Sequence, residues 1–248
     1  MKKIVIMPGG FHPFHAGHLS LYNAAQQAFP DADVYVAATD DTSKRPFPYQ
    51  IKQKLAKLAG VDPAHFFLVK SPFQCKEITQ QFDPNNTALI YVRSEKDRTK
   101  PPQAGGVKKD GSPSYLQPLG KQLEPMSKHA YMTYLPTVEF GPGITSATEI
   151  RTAWPTLTPK RKQAMVMSLY PATQKKPELA QTVIKMLDMA IGAEPVAEMG
   201  FGGITHESSQ FYIEDYIEER WSQKYKDSIN CSNPQGFSQR AHCQGRKK

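Results

Sequence analysis

The chain has 248 residues, enough for one generous domain or for one domain with appendages, and either can bury a sizeable core. An apolar content of 39%, a mean hydropathy of −0.53 and the lack of any apolar run of about 18 residues argue against a membrane protein, so we expect a soluble, cytoplasmic one. The formal charge of +8 suits a polyanionic partner, and both a nucleoside triphosphate and a nucleic acid qualify. Three scattered cysteines are too few for a disulfide framework and agree with a reducing compartment.

The first part of the chain alternates short apolar runs with helical patterns, which is typical of βα units and a parallel sheet. We predict strands at residues 4–7, 33–38, 66–70 and 87–93, and helices at residues 19–29, 49–59 and 75–82. Gly60 is expected to end the second helix. Because parallel crossovers are right-handed, the loops after these strands should gather at one edge of the sheet.

The middle of the chain has a different composition. Between residues 94 and 136 the alternation of apolar runs and helical patterns is lost, and Pro, Gly, Lys and Ser are frequent. This composition predicts a structureless insertion used as a lid, a binding loop or a disordered excursion. Residues 135–140 are predicted to form the last strand of the sheet. A short helix is expected at residues 148–154, where Pro155 interrupts it.

The C-terminal third is mostly helical in pattern. Thr158 is a predicted N-cap with Pro159 at the first helical position, and this helix should reach residue 170. A second helix at residues 177–191 carries an apolar stripe, which we expect to pack against the sheet. The chain is therefore divided into a domain at residues 1–153, a helical extension at 154–192, and a linker, polar helix and basic tail at 193–248.

Two histidines one helical turn apart follow the first predicted strand. His15 and His18 lie in the segment Pro8-Gly9-Gly10-Phe11-His12-Pro13-Phe14-His15-Ala16-Gly17-His18, directly before a helical pattern. Glycines let backbone approach a ligand, and a helix start turns unpaired N–H groups toward an anion, so the junction is suited to phosphate. A zinc-binding pair is the alternative for this spacing.

A second polar segment, Ser146-Ala147-Thr148-Glu149-Ile150-Arg151, follows about 130 residues later. Its hydroxyls and amide groups precede a helix and could hold phosphates, with Arg151 supplying a cation. Taken alone, the segment would more often be an ordinary helix cap.

Together these two motifs resemble the signatures of the nucleotidyltransferase superfamily, the adenylyl- and cytidylyltransferases. The first matches its H-x-G-H element with the preceding Gly-x-Phe-x-Pro frame, and the second is close to its Ser-Ser-Thr-x-Ile-Arg element, with Ala147 in place of a serine. Lys44-Arg45-Pro46-Phe47 resembles, less closely, the Lys-x-Pro-x-Phe sequence of phosphopantetheine adenylyltransferases. The resemblance covers residues 1–153 and implies an α/β fold, a Rossmann-like, doubly wound parallel sheet, here followed by C-terminal helices and a basic tail.

The resemblance also implies roles for individual residues. His18 would stabilise the transition state, His15 would contact the triphosphate, Lys44 would clamp phosphate, and Arg151 would neutralise the leaving pyrophosphate. Nucleotide contacts are implied for the flanking and strand-end residues, which are Gly9, Gly10, Phe11, Gly17, Arg93, Asp97, Ser146, Ala147 and Thr148. We expect Mg²⁺ to be held mainly by the triphosphate rather than by a protein carboxylate cage. His12 stands where relatives often carry Asp or Asn, which leaves surface exposure and substrate contact open.

The implied activity is transfer of AMP from ATP to a small phosphorylated acceptor, such as nicotinamide mononucleotide or phosphopantetheine. One alternative is a cytidylyltransferase that uses CTP, although the second motif lacks the Arg-Thr-x-Gly-Ile-Ser form of many such enzymes. Another is a nucleotide-fold binding protein whose basic tail, residues 231–248, docks to nucleic acid or to an assembly. Zinc binding by Cys231, His242 and Cys243 matches no standard spacing, and the chain has no kinase-type phosphate loop. The oligomeric state stays open.

Overall fold

The structure is a computed structural model that describes residues 1–40, 46–136, 146–191 and 232. The chain divides into two compact units, Met1–Glu194 and Pro195–Lys248. The predicted linker, polar helix and basic tail lie outside the described residues, apart from Ser232. The predicted division into three segments therefore stays a prediction.

One sheet of six parallel strands organises the described part of the first unit, in the order β3-β2-β1-β4-β6-β5. The strands are β1 (Lys2–Gly9), β2 (Ala32–Ala38), β3 (Phe66–Leu68), β4 (Thr87–Ser94), β5 (Leu116–Pro118) and β6 (Ala130–Leu135). Val5 of β1 is in register with Val34 of β2 and with Ile90 of β4. The order of strands reverses between β1 and β4, which confirms the predicted doubly wound, Rossmann-like sheet.

The centre of the sheet is covered on both faces. Four consecutive residues of β1, Ile4 to Met7, are buried, and burial of successive residues requires packing on both sides of a strand. Ile4 and Ile6 belong to a core cluster with Leu89 and Tyr91 of β4. This packing makes β1 and β4 a rigid base for the loops that follow them.

Six helices are described: α1 (Ala16–Ala28), α2 (Tyr49–Ala59), α3 (Lys76–Thr79), α4 (Ala147–Ala153), α5 (Pro159–Leu169) and α6 (Pro177–Ile191). Gly60 ends α2 with a φ of 126°, a conformation that favours glycine, as predicted. Thr158 caps α5, since its hydroxyl accepts a hydrogen bond from the Arg161 amide, also as predicted. The predicted helix at residues 75–82 is wrong in length, because α3 spans only Lys76–Thr79.

The predicted structureless insertion at residues 94–136 is wrong, because it contains β5 and β6. The last strand of the sheet was predicted at residues 135–140; the structure has β6 at Ala130–Leu135, and residues 137–140 of the predicted strand lie outside the described residues. Ala130, Tyr131 and Met132 are buried because β6 lies between β4 and β5. That burial depends on strands distant in sequence, so the local pattern does not reveal it.

The helical extension packs mainly on itself. The buried face of α6, which includes Val183 and Leu187, lies against α5 and the 3-10 turns Trp154–Thr156 and Pro171–Thr173. The prediction that its stripe packs against the sheet is therefore wrong. Among the described helices, none is long and apolar enough to cross a membrane.

Candidate functional site

A cavity of about 330 Å³ lies where β1 and β4 end. The strand order reverses between these two neighbouring strands. In α/β sheets, ligands commonly bind at such a switch point. All predicted nucleotide-contact residues line it, namely Gly9, Gly10, Phe11, His15, Gly17, His18, Arg93, Asp97, Ser146, Ala147, Thr148 and Arg151. Lys44, the remaining predicted site residue, lies outside the described residues.

His15 and His18 cap the start of α1 reciprocally. His15 Nδ1 accepts a hydrogen bond from the Gly17 amide at 3.1 Å, and His18 Nδ1 accepts one from the His15 amide at 3.3 Å. The two rings stack with their centroids 3.8 Å apart. Because a ring nitrogen that accepts a hydrogen bond carries no proton, each neutral imidazole carries its proton on Nε2.

The surroundings keep both imidazoles neutral. Burial lowers the pKa of His15 well below its ordinary value, and the nearby His18 lowers it further. Burial lowers the pKa of His18 to about 4, and the Asp97 carboxylate only partly opposes this shift. At neutral pH the pair therefore offers two neutral N–H donors rather than two cations.

The loop between β1 and α1 is shaped by Phe11. Its φ of 51° lies in the left-handed region, and its side chain is buried against Phe14, His18 and Phe66. A Cβ on Gly9 would meet the Phe11 ring at 2.6 Å. Gly9 thus makes room for Phe11, whereas the sequence led us to expect that it makes room for a ligand.

Arg151 connects the two motifs. Its guanidinium donates a hydrogen bond to the carbonyl of His12. It donates two further hydrogen bonds, to the Ala147 carbonyl at 3.2 Å and to the Thr148 hydroxyl at 3.1 Å. The planar, rigid guanidinium suits such multiple bonding. The guanidinium of Arg151 is therefore held at the cavity wall by a backbone oxygen of the first motif and by backbone and side-chain oxygens of the second.

Ser146 and Glu149 form a capping box at the start of α4. The Ser146 hydroxyl accepts from the Glu149 amide at 3.2 Å, and the Glu149 carboxylate accepts from the Ser146 amide at 3.1 Å. The helix-cap alternative raised for this motif is thus present in the structure. The Ser146 hydroxyl has a structural partner as well as its place at the cavity.

The loop after β4 supplies further charges. Arg93 donates to the carbonyls of Lys100 and Pro102 at 2.8 and 3.0 Å, so its guanidinium holds this loop. Asp97 pairs with Lys100 at 2.7 Å. Asp97 is the one carboxylate among the described lining residues, and these residues contain no group of three or more metal-ligating side chains. A Mg²⁺ ion at this cavity would therefore take most of its oxygen ligands from a bound triphosphate and from water.

The N-terminal part of the chain is similar to a known protein family. A family model described as cytidylyltransferase-like matches residues 6–104, which include the first motif and the loop after β4. This segment is therefore similar to cytidylyltransferase-like proteins, in agreement with the resemblance of its motif to the nucleotidyltransferase superfamily.

Two curated relatives match part of the chain. They are phosphopantetheine adenylyltransferases of Lacticaseibacillus casei and Lacticaseibacillus paracasei, each 36% identical over 92 residues. The match covers 37% of this chain and 53% of each relative, so the chain spans about half the length of the curated relatives it matches.

Two solved structures are also similar to the chain. One is a candidate nicotinate-nucleotide adenylyltransferase from Vibrio parahaemolyticus, with 13% identity and a TM-score of 0.41, covering 74% of this chain and 99% of that one. The other is the nicotinic acid mononucleotide adenylyltransferase of Plasmodium falciparum, with 11% identity and a TM-score of 0.41, covering 76% and 98%.

Sequence reasoning missed several side chains that line the cavity. Lys96 and Lys100 belong to the loop after β4, where the sequence singled out Arg93 and Asp97 instead. Their place beyond the end of a buried parallel strand was the available signal. His12 is 2% exposed, which rules out a surface role; its Nδ1 accepts from the Phe47 amide at 3.3 Å.

Proposed function

We propose that the protein transfers AMP from ATP to the phosphate of a small phosphorylated acceptor, such as nicotinamide mononucleotide or phosphopantetheine. A phosphate oxygen of the acceptor attacks the α-phosphorus and forms a new P–O bond. The bond from the α-phosphorus to the bridging oxygen breaks, and pyrophosphate leaves. Such a reaction needs positioned substrates and neutralised phosphate charge more than covalent help from the protein.

The observation that carries this proposal is the convergence of His15, His18 and Arg151 on one cavity at the switch point of the sheet. In the proposed site, the Nε2–H of His18 donates to an oxygen of the α-phosphate, where charge accumulates in the transition state. Because burial lowers the pKa of His18 to about 4, the ring is the neutral imidazole throughout the neutral pH range and keeps its single N–H proton, on Nε2. His15 is proposed to contact the triphosphate beside it.

Cations around the cavity are proposed to hold the rest of the triphosphate. Arg151, which lines the cavity with Ala147 and Thr148, is proposed to bind the β- and γ-phosphates together with the amides of these two residues. Lys96 and Lys100 line the same cavity from the loop after β4. Lys44, outside the described residues, is proposed as a clamp on the acceptor phosphate, and Mg²⁺ bound by the triphosphate would neutralise part of its charge.

The family model favours a second candidate, cytidylyl transfer from CTP, because it is described as cytidylyltransferase-like. The relatives at 36% identity favour ATP, since they are adenylyltransferases. A binding role for the basic tail beside the transferase is also kept as a proposal. A cytoplasmic location stays a prediction from the cysteine content.

The test is a screen for pyrophosphate release with Mg²⁺, in which ATP and CTP are each combined with a panel of phosphorylated acceptors. We expect acceptor-dependent release from ATP and a loss of about 10²-fold or more in His18→Ala. His129→Ala is the control, because His129 is not among the cavity-lining residues. Release of pyrophosphate from CTP but not from ATP would show that the protein transfers CMP rather than AMP. Turnover by His18→Ala equal to that of the wild type would show that His18 has no part in the mechanism.

A further inference from the structure

A tyrosine of the C-terminal helical segment reaches the loop that carries the two histidines. The Tyr170 hydroxyl donates a hydrogen bond to the carbonyl of Phe14 at 2.7 Å, across 156 positions of sequence. The same peptide group continues as the amide of His15, which donates to His18 Nδ1 at 3.3 Å. One peptide plane is therefore held at its oxygen by Tyr170 and at its N–H by His18.

Tyr170 is fully buried, and its hydroxyl, amide and carbonyl are all hydrogen-bonded. It follows the last residue of α5 and has no exposed surface. Its amide donates to the Val166 carbonyl at 2.9 Å, and its own carbonyl accepts from the Thr173 hydroxyl at 2.7 Å. Burying a phenol is costly unless the hydroxyl is paired, and here the pairing is with the histidine loop. Burial also raises the pKa of Tyr170, so the hydroxyl stays protonated and remains a donor.

This geometry links Tyr170 to the state of the His18 ring. A hydrogen bond to a peptide carbonyl polarises the amide and strengthens the donor at its N–H end. A stronger donor from His15 favours a His18 ring whose Nδ1 is unprotonated and whose Nε2 carries the proton. Groups outside a site commonly set the tautomer and orientation of a functional imidazole in this way.

We propose that Tyr170 is a positioning residue for His18, acting through the peptide between Phe14 and His15. The role in turnover rests on the proposed function, whereas the effect on the His18 ring does not. The proposal assigns a part in the site to the helical segment after residue 153, for which the sequence motifs give no role.

The test compares Tyr170→Phe with Tyr91→Phe. Tyr91 is also buried, at 1% exposure, and its hydroxyl donates to the Phe73 carbonyl at 2.9 Å. Each change removes one hydrogen bond from a buried tyrosine hydroxyl to a backbone carbonyl. Only the bond of Tyr170 reaches the histidine loop, and Tyr91 is not among the described cavity-lining residues. We expect similar falls in melting temperature for both variants.

The distinguishing measurement is the ¹⁵N NMR spectrum of the His18 ring, recorded without nucleotide. In Tyr170→Phe we expect the Nδ1 and Nε2 shifts to move toward a mixture of tautomers, and kcat to fall about tenfold with KM for ATP unchanged. Tyr91→Phe should leave both the spectrum and kcat as in the wild type. An unchanged His18 spectrum in Tyr170→Phe, or an equal change in Tyr91→Phe, overturns the proposal.

If Tyr170→Phe does not fold, 3-fluorotyrosine at position 170 replaces it. Fluorination makes the phenol a stronger donor at almost the same size, so the hydrogen bond that His18 Nδ1 accepts from the His15 amide should strengthen and the Nδ1 shift should move away from its wild-type value. A spectrum identical to the wild type overturns the proposal. If the wild type transfers no nucleotide to any acceptor, the proposed function fails, but the spectra still decide the role of Tyr170.

Discussion

The guanidinium of Arg151 donates a hydrogen bond to the backbone carbonyl of His12, 139 positions earlier in the chain. This bond holds the second motif against the loop of the first. Because the acceptor is a backbone oxygen, the identity of residue 12 does not change it. The bond depends on the side chain at position 151.

Replacing Arg151 should therefore damage the site in two ways. Arg151→Lys keeps the charge but loses the fork that binds His12, Ala147 and Thr148. We expect a fall in kcat/KM of about 10²-fold for Arg151→Lys and more for Arg151→Gln, measured by pyrophosphate release. Arg98→Gln is the control, because Arg98 pairs with Glu95 and does not line the cavity. Full activity in Arg151→Lys would show that charge alone suffices.

Two substitutions separate the capping role of His15 from its role as a donor. Asn at position 15 keeps an acceptor for the Gly17 amide and is a favoured N-cap residue, but it lacks the distant Nε2–H. We expect His15→Asn to retain stability within about 0.5 kcal/mol, and His15→Ala to lose about 1 kcal/mol. Both should bind ATP more weakly in calorimetry. Normal ATP affinity in His15→Asn would confine His15 to capping.

The stability of the protein should fall as the pH falls below about 6.5. The unfolded chain protonates His18 near its ordinary pKa of 6.5, whereas the folded chain does so only near 4. Between these values the unfolded state binds more protons, so the free energy of unfolding decreases as the pH falls, by a few kcal/mol in all. Below pH about 4 this contribution no longer changes.

Chemical denaturation at several pH values tests this dependence. His18→Asn should reduce the slope between pH 6.5 and 4, and the remaining slope should include the contribution of His15, whose pKa is also lowered by burial. An unchanged slope in His18→Asn would mean that His18 does not stay neutral in the folded protein.

Gly9→Ala should destabilise the domain through the Phe11 ring. The new Cβ would lie 2.6 Å from Cζ and 2.8 Å from Cε1 of a buried ring, so the loop must shift. We expect a loss of about 1–3 kcal/mol by thermal or chemical denaturation. Gly120→Ala is the control, since the nearest atom to its Cβ would be 3.8 Å away. Recovery of stability in Gly9→Ala combined with Phe11→Leu would identify the ring as the cause.

Much of the fold follows from local sequence. Buried β-branched runs such as residues 4–6 predict central strands, and the helices at Tyr49–Ala59 and Pro177–Ile191 have their predicted ends. Gly60 ends the helix Tyr49–Ala59 and Thr158 caps the helix Pro159–Leu169 through their own backbone or side chain, so neighbouring residues suffice to predict these boundaries. The strand β6 was misplaced, because its burial comes from β4 and β5 rather than from its own pattern.

By itself, the sequence determined which residues belong to the candidate site, since His15, His18 and Arg151 stand in motifs whose residue types suit phosphate. Only the tertiary structure decided how the two motifs and the later helices meet: through the bond from Arg151 to the His12 carbonyl and the bond from Tyr170 to the Phe14 carbonyl. These contacts join atoms that are brought together by packing of the sheet and helices. Their distances depend on the whole fold, which no local pattern of residues encodes.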